Sequence, residues 1–501
     1  MPSASARSPI RIAPEGEVDR VWSSCTRVGS ASRANHSAKC SAFVRSRLSA
    51  AGPEMVMAEE YLASIDLGRY CFSIDVRRCK TTEEFEMQLP VIIIGAGPIG
   101  LAAAANAAER DMDFIVVEAG GDAGAAVGEW GHVRLFSSWL ELIDPAARRL
   151  LEATGTWTAP DDSDYPTGSE WREAYLQPLA NLLNSSTNGS VHYNTQVTGV
   201  SRAGRDLLVD SGRENDPFAV HVHGPEGHQR LLGSAVVDAS GTWTSPNPLG
   251  ADGYPARGER EHADRISYGI PDFTDTAVAA RYAGKHVAVA GKGASAQGVL
   301  IGLAQLAEQD PATRVSWLLR RPSVGDAFGG GDNDQLEQRG KLGQDAKAAA
   351  SSGLVTNVTQ FRTESVNLQD DGRLALGSTD GQQVSDVDEI IVVTGFRPDF
   401  SFLSEVRLDL DPALGSARFL AELVHPDHHS CGDVPGHGYQ ELAQPEPGFY
   451  VVGMKSYGRA PSFLAMTGFE QIRSVIAALA GDLEAAGRME LVLPDTGVCN
   501  G

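Results

Sequence analysis

Residues 91–100, VIIIGAGPIG, are the stretch that decides the fold. Its first four residues form a β-branched run that is typical of a strand buried on both faces, and the alanine-rich LAAAANAAER that follows favours a helix. FIVVEA, from Phe114, supplies another strand. Together they predict a βαβ unit of about thirty residues.

The glycine spacing predicts a dinucleotide site at the turn between this strand and helix. Gly95, Gly97 and Gly100 form G-x-G-x-x-G, with Pro98 at the opening of the helix. In such a motif the glycines give a tight turn, close approach to a pyrophosphate and close packing of helix on strand. Glu118 ends the next strand 18 residues after Gly100, where a carboxylate accepts hydrogen bonds from a ribose.

A second unit repeats this pattern later in the chain. HVAVAG, from His286, is followed by a turn of the form G-x-G-x-x-A. The turn residues concerned are Gly291, Gly293, Ser295 and Ala296. We predict a second dinucleotide-binding module here, because strand, glycine turn and helix again follow one another.

The partner strand of the second unit ends differently from that of the first. RVSWLLRR, from Arg314, closes with Arg320 and Arg321 where the first unit has an acid. A guanidinium at this place can pair with the 2′-phosphate that distinguishes NADPH from NADH. The alternative is a solvated pair of arginines at a strand end.

Composition, charge and cysteine placement disfavour several classes of function. The net charge of -23 and pI near 4.9 disfavour nucleic acid as a partner. No stretch has the roughly 20 apolar residues that a membrane span needs. Between residues 80 and 498 the sequence holds one cysteine, Cys431, so it has no disulfide framework there, and a reducing, cytoplasmic location is expected.

The chain resembles the two-dinucleotide-binding flavoproteins. The resemblance lies in the two glycine motifs described above and in two further stretches, DASG at 238–241 and VVTGFRPD at 392–399. That superfamily includes flavin-containing monooxygenases and pyridine nucleotide-disulfide reductases. The resemblance covers most of residues 90 to 480 and implies FAD in the first module and NADPH in the second. It also implies further cofactor-binding residues: Trp130, Val197, Asp238, Gly241, Thr394, Gly395, Gly453 and Lys455.

The chain departs from known members of this superfamily in three features, which reduce the number of branches that it resembles. The redox-active cysteine pair of the disulfide reductases has no counterpart, which nearly excludes that branch. Many members place an aspartate just after the glycine of the last strand, whereas here Gly453 is followed by Met454 and Lys455, which could take that role or meet the FAD phosphates. The F-x-G-x-x-x-H-x-x-x-W/F signature of class B monooxygenases is missing too. The chain therefore most resembles flavin-monooxygenase-like oxidoreductases.

The resemblance implies an α/β fold of two Rossmann-like doubly wound domains, with the NADPH domain inserted into a discontinuous FAD domain. SAVVDASG, EIIVVTGF and FYVVGM are each predicted as buried strands of the FAD domain. The expected boundaries are an N-terminal extension at 1–86, the FAD domain at 87–280 and 385–481, the NADPH domain at 281–384 and a tail at 482–501.

Candidate catalytic residues are Arg134, Cys431 and Arg459, and the catalytic group itself stays open. WGHVRLFSSW, from Trp130, could wall a flavin ring or form core. Residues 425–437 hold His425, His428, His429 and His437 beside Cys431, in a spacing that matches no zinc pattern, so we assign no metal. This segment could be a substrate loop, a structural loop or a metal site.

Three functions follow from the resemblance. The first is an NADPH-dependent FAD monooxygenase that acts through C4a-hydroperoxyflavin on a small molecule, with O2 as second substrate. The second is a flavin reductase or oxidase that passes electrons to a quinone, a metalloid or O2. The third is a nucleotide-sensing protein without enzymatic activity. A homodimer is possible, and the substrate is not readable from the sequence.

Overall fold

A computed structural model of the chain describes residues 89–328, 334, 336–426, 434–461 and 463–491. All of them lie in one compact unit, Met87–Gly501. The predicted extension at 1–86 and the end of the predicted tail lie outside the described residues.

The strands form two parallel and two antiparallel sheets in this part of the chain. In chain order they are β1 (Val91–Ile94), β2 (Phe114–Val117), β3 (Gly189–His192), β4 (Gln196–Arg202), β5 (Phe218–Gly224), β6 (Gly227–Gly233), β7 (Ala235–Asp238), β8 (Ile266–Tyr268), β9 (His286–Ala290), β10 (Arg314–Leu318), β11 (Val355–Val358), β12 (Thr363–Leu368), β13 (Leu374–Ser378), β14 (Gln383–Val387), β15 (Glu389–Val392) and β16 (Phe449–Val451).

The helices connect and cover these sheets. They are α1 (Pro98–Ala108), α2 (Ala125–Glu129), α3 (Trp139–Leu142), α4 (Pro145–Ala153), α5 (Gly168–Trp171), α6 (Gln177–Asn184), α7 (Thr276–Tyr282), α8 (Ala294–Gln309), α9 (Glu337–Ser351), α10 (Arg418–Val424), α11 (Ala465–Leu479) and α12 (Leu483–Gly487), with a short π-helix at Arg172–Leu176 between α5 and α6.

The first module is built on a five-stranded parallel sheet of order β16-β7-β1-β2-β3. Helix α1 packs between β1, β2 and α11, and its alanines before Ala108 are buried because small side chains let sheet and helices approach closely. Parallel strands place their carboxyl ends at one edge, so the glycine turn after β1 and the ends of β2, β7 and β16 meet there.

The second module is built on another five-stranded parallel sheet, of order β11-β10-β9-β15-β8. Its strands lie in the chain between β7 and β16 of the first sheet. The predicted class is therefore confirmed: two Rossmann-like modules, the second inserted into the first.

One strand was assigned to the wrong sheet. EIIV forms β15, which pairs with β9 and β8 in the second sheet and not with the first. Strand β8 also belongs to the second sheet. The boundaries predicted at 280/281 and 384/385 therefore cut through this sheet, because an apolar run shows that a strand is buried but not which neighbour it pairs with.

Two antiparallel three-stranded sheets complete the described structure, β4-β5-β6 in the first module and β12-β13-β14 beside the second. Among the described residues, none of the helices has the length and apolar character needed to cross a bilayer.

Candidate functional site

The first glycine turn has the geometry that the motif predicts. Gly95 lies at φ +101°, and a Cβ there would come 2.8 Å from the carbonyl oxygen of Ala239. A Cβ on Gly100 would come 1.9 Å from the Gly95 carbonyl oxygen. A Cβ on Gly97 would meet no atom within 4 Å. Two glycines are therefore required by packing, whereas the third has open space beside its backbone.

The helix after this turn offers its N-terminus to an anion. Gly97 is the N-cap of α1 and makes no side-chain capping bond, and Pro98 occupies the first turn. Backbone N–H groups at such an end remain available to phosphate oxygens, and the helix dipole favours negative charge there. The open position and the uncapped helix fit a dinucleotide pyrophosphate.

Glu118 lies at the end of β2 beside this turn. Its Oε2 accepts a hydrogen bond from the Ala96 N–H at 2.6 Å, and its Oε1 accepts one from the Gly120 N–H at 2.7 Å. The carboxylate thus joins the glycine turn to the loop after β2. Glu118 thus lies beside the glycine turn, and its predicted contact with a ribose stays a prediction.

Asp238 and Lys455 do not face an open groove. Both side chains are buried, and Lys455 Nζ donates to Asp238 Oδ2 at 2.7 Å and to Ser240 Oγ at 3.0 Å. Nζ also lies 4.5 Å from the ring centre of Phe402. Since Lys455 is 1% exposed, its ammonium serves this ion pair, and the predicted contact with FAD phosphates is not what the structure shows.

Gly453 and Gly241 both lie at strand ends with left-handed backbone, at φ +68° and +70°. The Gly453 N–H donates to Gln471 Oε1 at 2.8 Å. Gln471 Nε2 in turn donates to Ser456 Oγ and to His437 Nε2, each at 2.9 Å. This buried network fixes the turn after β16.

His437 belongs to this buried network. One of the four histidines of residues 425–437 therefore has a structural role. Its Nδ1 donates to the Pro435 carbonyl oxygen at 3.0 Å, and burial lowers its pKa. No group of three or more metal-ligating side chains is found among the described residues. His428, His429 and Cys431 lie outside them.

The second glycine turn repeats the geometry of the first. Gly291 lies at φ +136°, with a Cβ position 2.3 Å from the Val393 carbonyl oxygen, whereas a Cβ on Gly293 would meet no atom within 4 Å. Gly293 is the N-cap of α8 and, like Gly97, makes no side-chain capping bond. Trp317 Nε1 donates to the Gly291 carbonyl oxygen at 2.7 Å and so ties the turn to β10.

A cavity of about 990 Å³ opens at this second turn. Seven of the predicted cofactor-binding residues line it together with Arg459, one of the catalytic candidates. The seven are Gly291, Gly293, Ser295, Arg320, Arg321, Thr394 and Gly395. Ala296 is fully buried behind the turn and packs in the core of the module.

The charge on the cavity wall is opposite to that of the whole chain. Among its described lining residues the acid is Asp252, and the cations are Lys292, Arg320, Arg321, Arg339, Arg397 and Arg459. On a chain of net charge -23 this concentration of positive charge favours an anionic ligand. Arg339 and Arg397 had not been singled out by sequence, although Arg397 stands inside the TGFRPD stretch.

A smaller cavity of about 210 Å³ lies between the two modules. Trp130 and Trp243 of the first module and Phe396, after β15, line it. Trp243 Nε1 donates to Glu129 Oε2 at 2.7 Å, and its ring lies 4.7 Å from that of Phe396. Both cavities include Ser295, Val393 and Gly395 in their walls, so they adjoin.

The remaining candidates lie away from the cavities described. Arg134 is exposed, donates to the Tyr165 carbonyl oxygen and lines neither cavity. Val197 lies at a bulge of β4 and packs against the core. Of the two tryptophans of WGHVRLFSSW, Trp139 is core and Trp130 lines the smaller cavity. Trp243 belongs to no sequence motif. The only sequence signal for a role at the site is that it is an aromatic residue near DASG.

Fold and glycine turns together define a protein of the two-dinucleotide-binding flavoprotein fold. The family model of the NAD(P)-binding Rossmann-like domain matches residues 93–141, which include the first turn and Glu118. A comparison with curated protein sequences gives no match.

Solved structures similar to the chain come from enzymes of more than one kind. Bacillithiol disulfide reductase Bdr (YpdA) from Bacillus cereus is 17% identical, with a TM-score of 0.57, covering 79% of this chain and 99% of its own. The cadaverine monooxygenase DfoA from Erwinia amylovora is 13% identical, with a TM-score of 0.54 and coverage of 81% and 96%. A flavin monooxygenase from Stenotrophomonas maltophilia, as a double mutant, is 19% identical, with a TM-score of 0.50 and coverage of 79% and 98%. At these identities the likeness concerns the fold.

Proposed function

We propose that the protein is an oxidoreductase that holds FAD at the Gly95 turn and NADPH at the Gly291 turn. The observation that carries the proposal is the pair of equivalent turns, which differ at the neighbouring strand end. The first has a carboxylate, Glu118, suited to a ribose hydroxyl, and the second has Arg320 and Arg321, suited to a 2′-phosphate.

The residues present fit both groups. Gly97 and Gly293 leave open space where a phosphate would approach, and both helices begin without a side-chain cap. Bound FAD would supply a hydride acceptor for NADPH and an electron donor for a further acceptor. The chain's own contribution is to bind and orient both dinucleotides and to exclude water from the space between the modules.

We place that space in the smaller cavity. Trp130, Trp243 and Phe396 give it an apolar wall, and the hydrogen bond to Glu129 holds the Trp243 ring in place. Since Ser295 and Gly395 border this cavity too, it adjoins the proposed NADPH site.

Within this class we propose a monooxygenase acting on a small molecule. The similar structures include monooxygenases and a disulfide reductase, so the fold does not choose between them. The sequence favours the monooxygenases over the disulfide reductases, because residues 80–498 contain Cys431 and no second cysteine with which to form a redox-active pair.

Cofactor assignment is tested by titrating the flavin-loaded protein with NADPH and NADH without oxygen. We expect the flavin absorbance to bleach with both, and Arg320→Gln to raise the Kd for NADPH by about tenfold or more while changing that for NADH less than about threefold. Arg314→Gln, at the opposite end of the same strand, is the matched control. Equal losses for NADPH and NADH in Arg320→Gln would refute the 2′-phosphate assignment.

The oxygenase assignment needs a separate experiment. Candidate substrates are turned over with NADPH under 18O2, and the products are analysed by mass spectrometry. One labelled oxygen in the organic product supports the monooxygenase. NADPH consumption that yields only hydrogen peroxide or a reduced acceptor, whatever the compound offered, points instead to the reductase or oxidase.

A further inference from the structure

Two arginines on the wall of the large cavity are not accounted for by either glycine turn. Arg397 lies a few residues after β15 of the second sheet, and Arg459 lies after β16 of the first. The two modules therefore each contribute one guanidinium to the same cavity.

The Arg397 guanidinium is held in place by neutral partners. Its Nε donates to Asn247 Oδ1 at 2.8 Å, and both terminal nitrogens donate to the Gly253 carbonyl oxygen at 3.2 Å. An amide and a carbonyl orient the group without cancelling its charge. Arg397 has no ion pair with a carboxylate among the described residues.

Arg459 stands on a fixed piece of backbone. Its N–H donates to the Leu414 carbonyl oxygen at 2.8 Å, and Gly458 before it is left-handed at φ +63°, where a Cβ would come 2.1 Å from that same oxygen. The Arg459 side chain makes no hydrogen bond or ion pair in the described part of the chain. The backbone is anchored while the guanidinium is left for another partner.

The two guanidiniums line the same cavity and carry like charges that oppose each other. Burial lowers the pKa of Arg397, and the positive charge of Arg459 lowers it further. The described acid of the cavity wall, Asp252, accepts a hydrogen bond from the Tyr254 N–H and forms no ion pair with either arginine. Two like charges without a counter-ion cost free energy, which an anion bound between them would recover.

We propose that Arg397 and Arg459 form an anion-binding pair that holds a carboxylate or phosphate group of the small-molecule substrate. The proposal rests on the proposed function, since that function already gives the phosphates of NADPH their partners at the Gly293 helix end and at Arg320. The large cavity adjoins the aromatic cavity between the modules. The substrate class is therefore an organic anion whose apolar part reaches toward Trp130 and Trp243.

The test uses malonate as a dicarboxylate probe and the full-length, FAD-loaded protein. Calorimetric titration is carried out after saturation with NADP+, so that the Arg320 end of the cavity is occupied. We expect malonate to bind, Arg459→Gln to weaken it by about tenfold or more, and Arg459→Lys to fall between, because lysine keeps the charge but not the planar fork. Arg149→Gln, exposed and paired with Glu109 outside the cavity, is the control.

The titration shows whether the anion bound by the two arginines belongs to the substrate or to the dinucleotide cofactor. If malonate fails to bind in the presence of NADP+, or if Arg459→Gln binds it as tightly as the parent, the proposal is wrong. It is also overturned if Arg459→Gln weakens NADP+ and NAD+ by the same large factor, since the pair would then serve the dinucleotide. Failure of the proposed function looks different: NADPH does not reduce the flavin, whereas malonate binding stays sensitive to Arg459.

Discussion

At the residue scale, the first turn contains glycines that packing requires and one, Gly97, that packing does not require. Gly95 has a positive φ and a crowded Cβ position, whereas Gly97 has φ -77° and open space around it. Only the second can accept alanine without strain.

We therefore expect opposite behaviour from two alanine variants. Gly97→Ala should unfold at nearly the same urea concentration as the parent but bind FAD more weakly by about tenfold or more, because the new methyl stands where the pyrophosphate approaches. Gly95→Ala should lose about 1–3 kcal/mol of folding free energy through backbone strain. Urea unfolding and FAD titration of both apoproteins measure this. Unchanged FAD affinity in Gly97→Ala would show that the open position does not face the cofactor.

The buried pair of Lys455 and Asp238 makes a second residue-scale prediction. Lys455→Met leaves the Asp238 carboxylate buried without its cation and should cost about 3–5 kcal/mol of folding free energy. Lys285→Met is the control: the Lys285 side chain is 40% exposed and its Nζ lies 3.5 Å from Glu389 Oε1, so about 1 kcal/mol or less is expected. If adding Asp238→Asn to Lys455→Met restores nothing, the lysine acts through packing and not through its charge.

At the scale of elements, helix α4 is joined to α1 through a buried carboxyl. Asp144 caps α4 by accepting a hydrogen bond from the Ala147 N–H at 2.9 Å, and Asn106 of α1 donates to the same oxygen at 3.3 Å. Burial raises the pKa of Asp144 to about 7, even though these hydrogen bonds act in the opposite direction.

This raised pKa gives the folding free energy a pH dependence of known sign. Between the unfolded pKa near 3.8 and the folded pKa of about 7, the folded protein holds a proton that the unfolded chain releases. Stability from Asp144 therefore falls as the pH rises through that window. We expect the parent to lose about 2–3 kcal/mol more than Asp144→Asn between about pH 5 and about pH 8, measured by urea unfolding. Parallel pH curves would contradict this.

Local sequence patterns predicted the helices and strands well, but they did not predict which distant strands and side chains pair with each other. The strand-turn-helix units around Gly95 and Gly291 were predictable because turn, helix and following strand are contiguous in sequence. The sheet to which β15 belongs was not, since pairing with β8 and β9 joins distant segments. For the same reason sequence suggested Lys455 as a cofactor ligand, although its partner is Asp238, 217 residues away.

At the scale of the whole molecule, the described chain passes between the two sheets twice, after β7 and after β15. These connections are bonded to each other: the Asn247 N–H donates to the Gly395 carbonyl oxygen and the Arg397 N–H to the Ser245 carbonyl oxygen, both at 2.9 Å. The Asn247 side chain donates to the Thr394 carbonyl oxygen at 2.9 Å. The two modules are thus joined at the place where both cavities lie.

Asn247 should accordingly affect the coupling of the modules more than the binding of either dinucleotide. Asn247→Ala removes the side-chain bonds to Thr394 and Arg397. Because transfer between two bound groups depends steeply on their relative placement, we expect flavin reduction by NADPH to slow by about tenfold or more. The Kd values for FAD and NADPH should change less than about threefold, because both glycine turns are intact.

Anaerobic stopped-flow absorbance gives the reduction rate, and equilibrium titrations give both Kd values. Asn215→Ala, which removes an exposed amide in the first module, should change none of the three. A loss of NADPH affinity as large as the loss of rate would mean that Asn247 shapes the NADPH site itself. An unchanged reduction rate would mean that the backbone bonds between the two connections are sufficient to hold the modules in register.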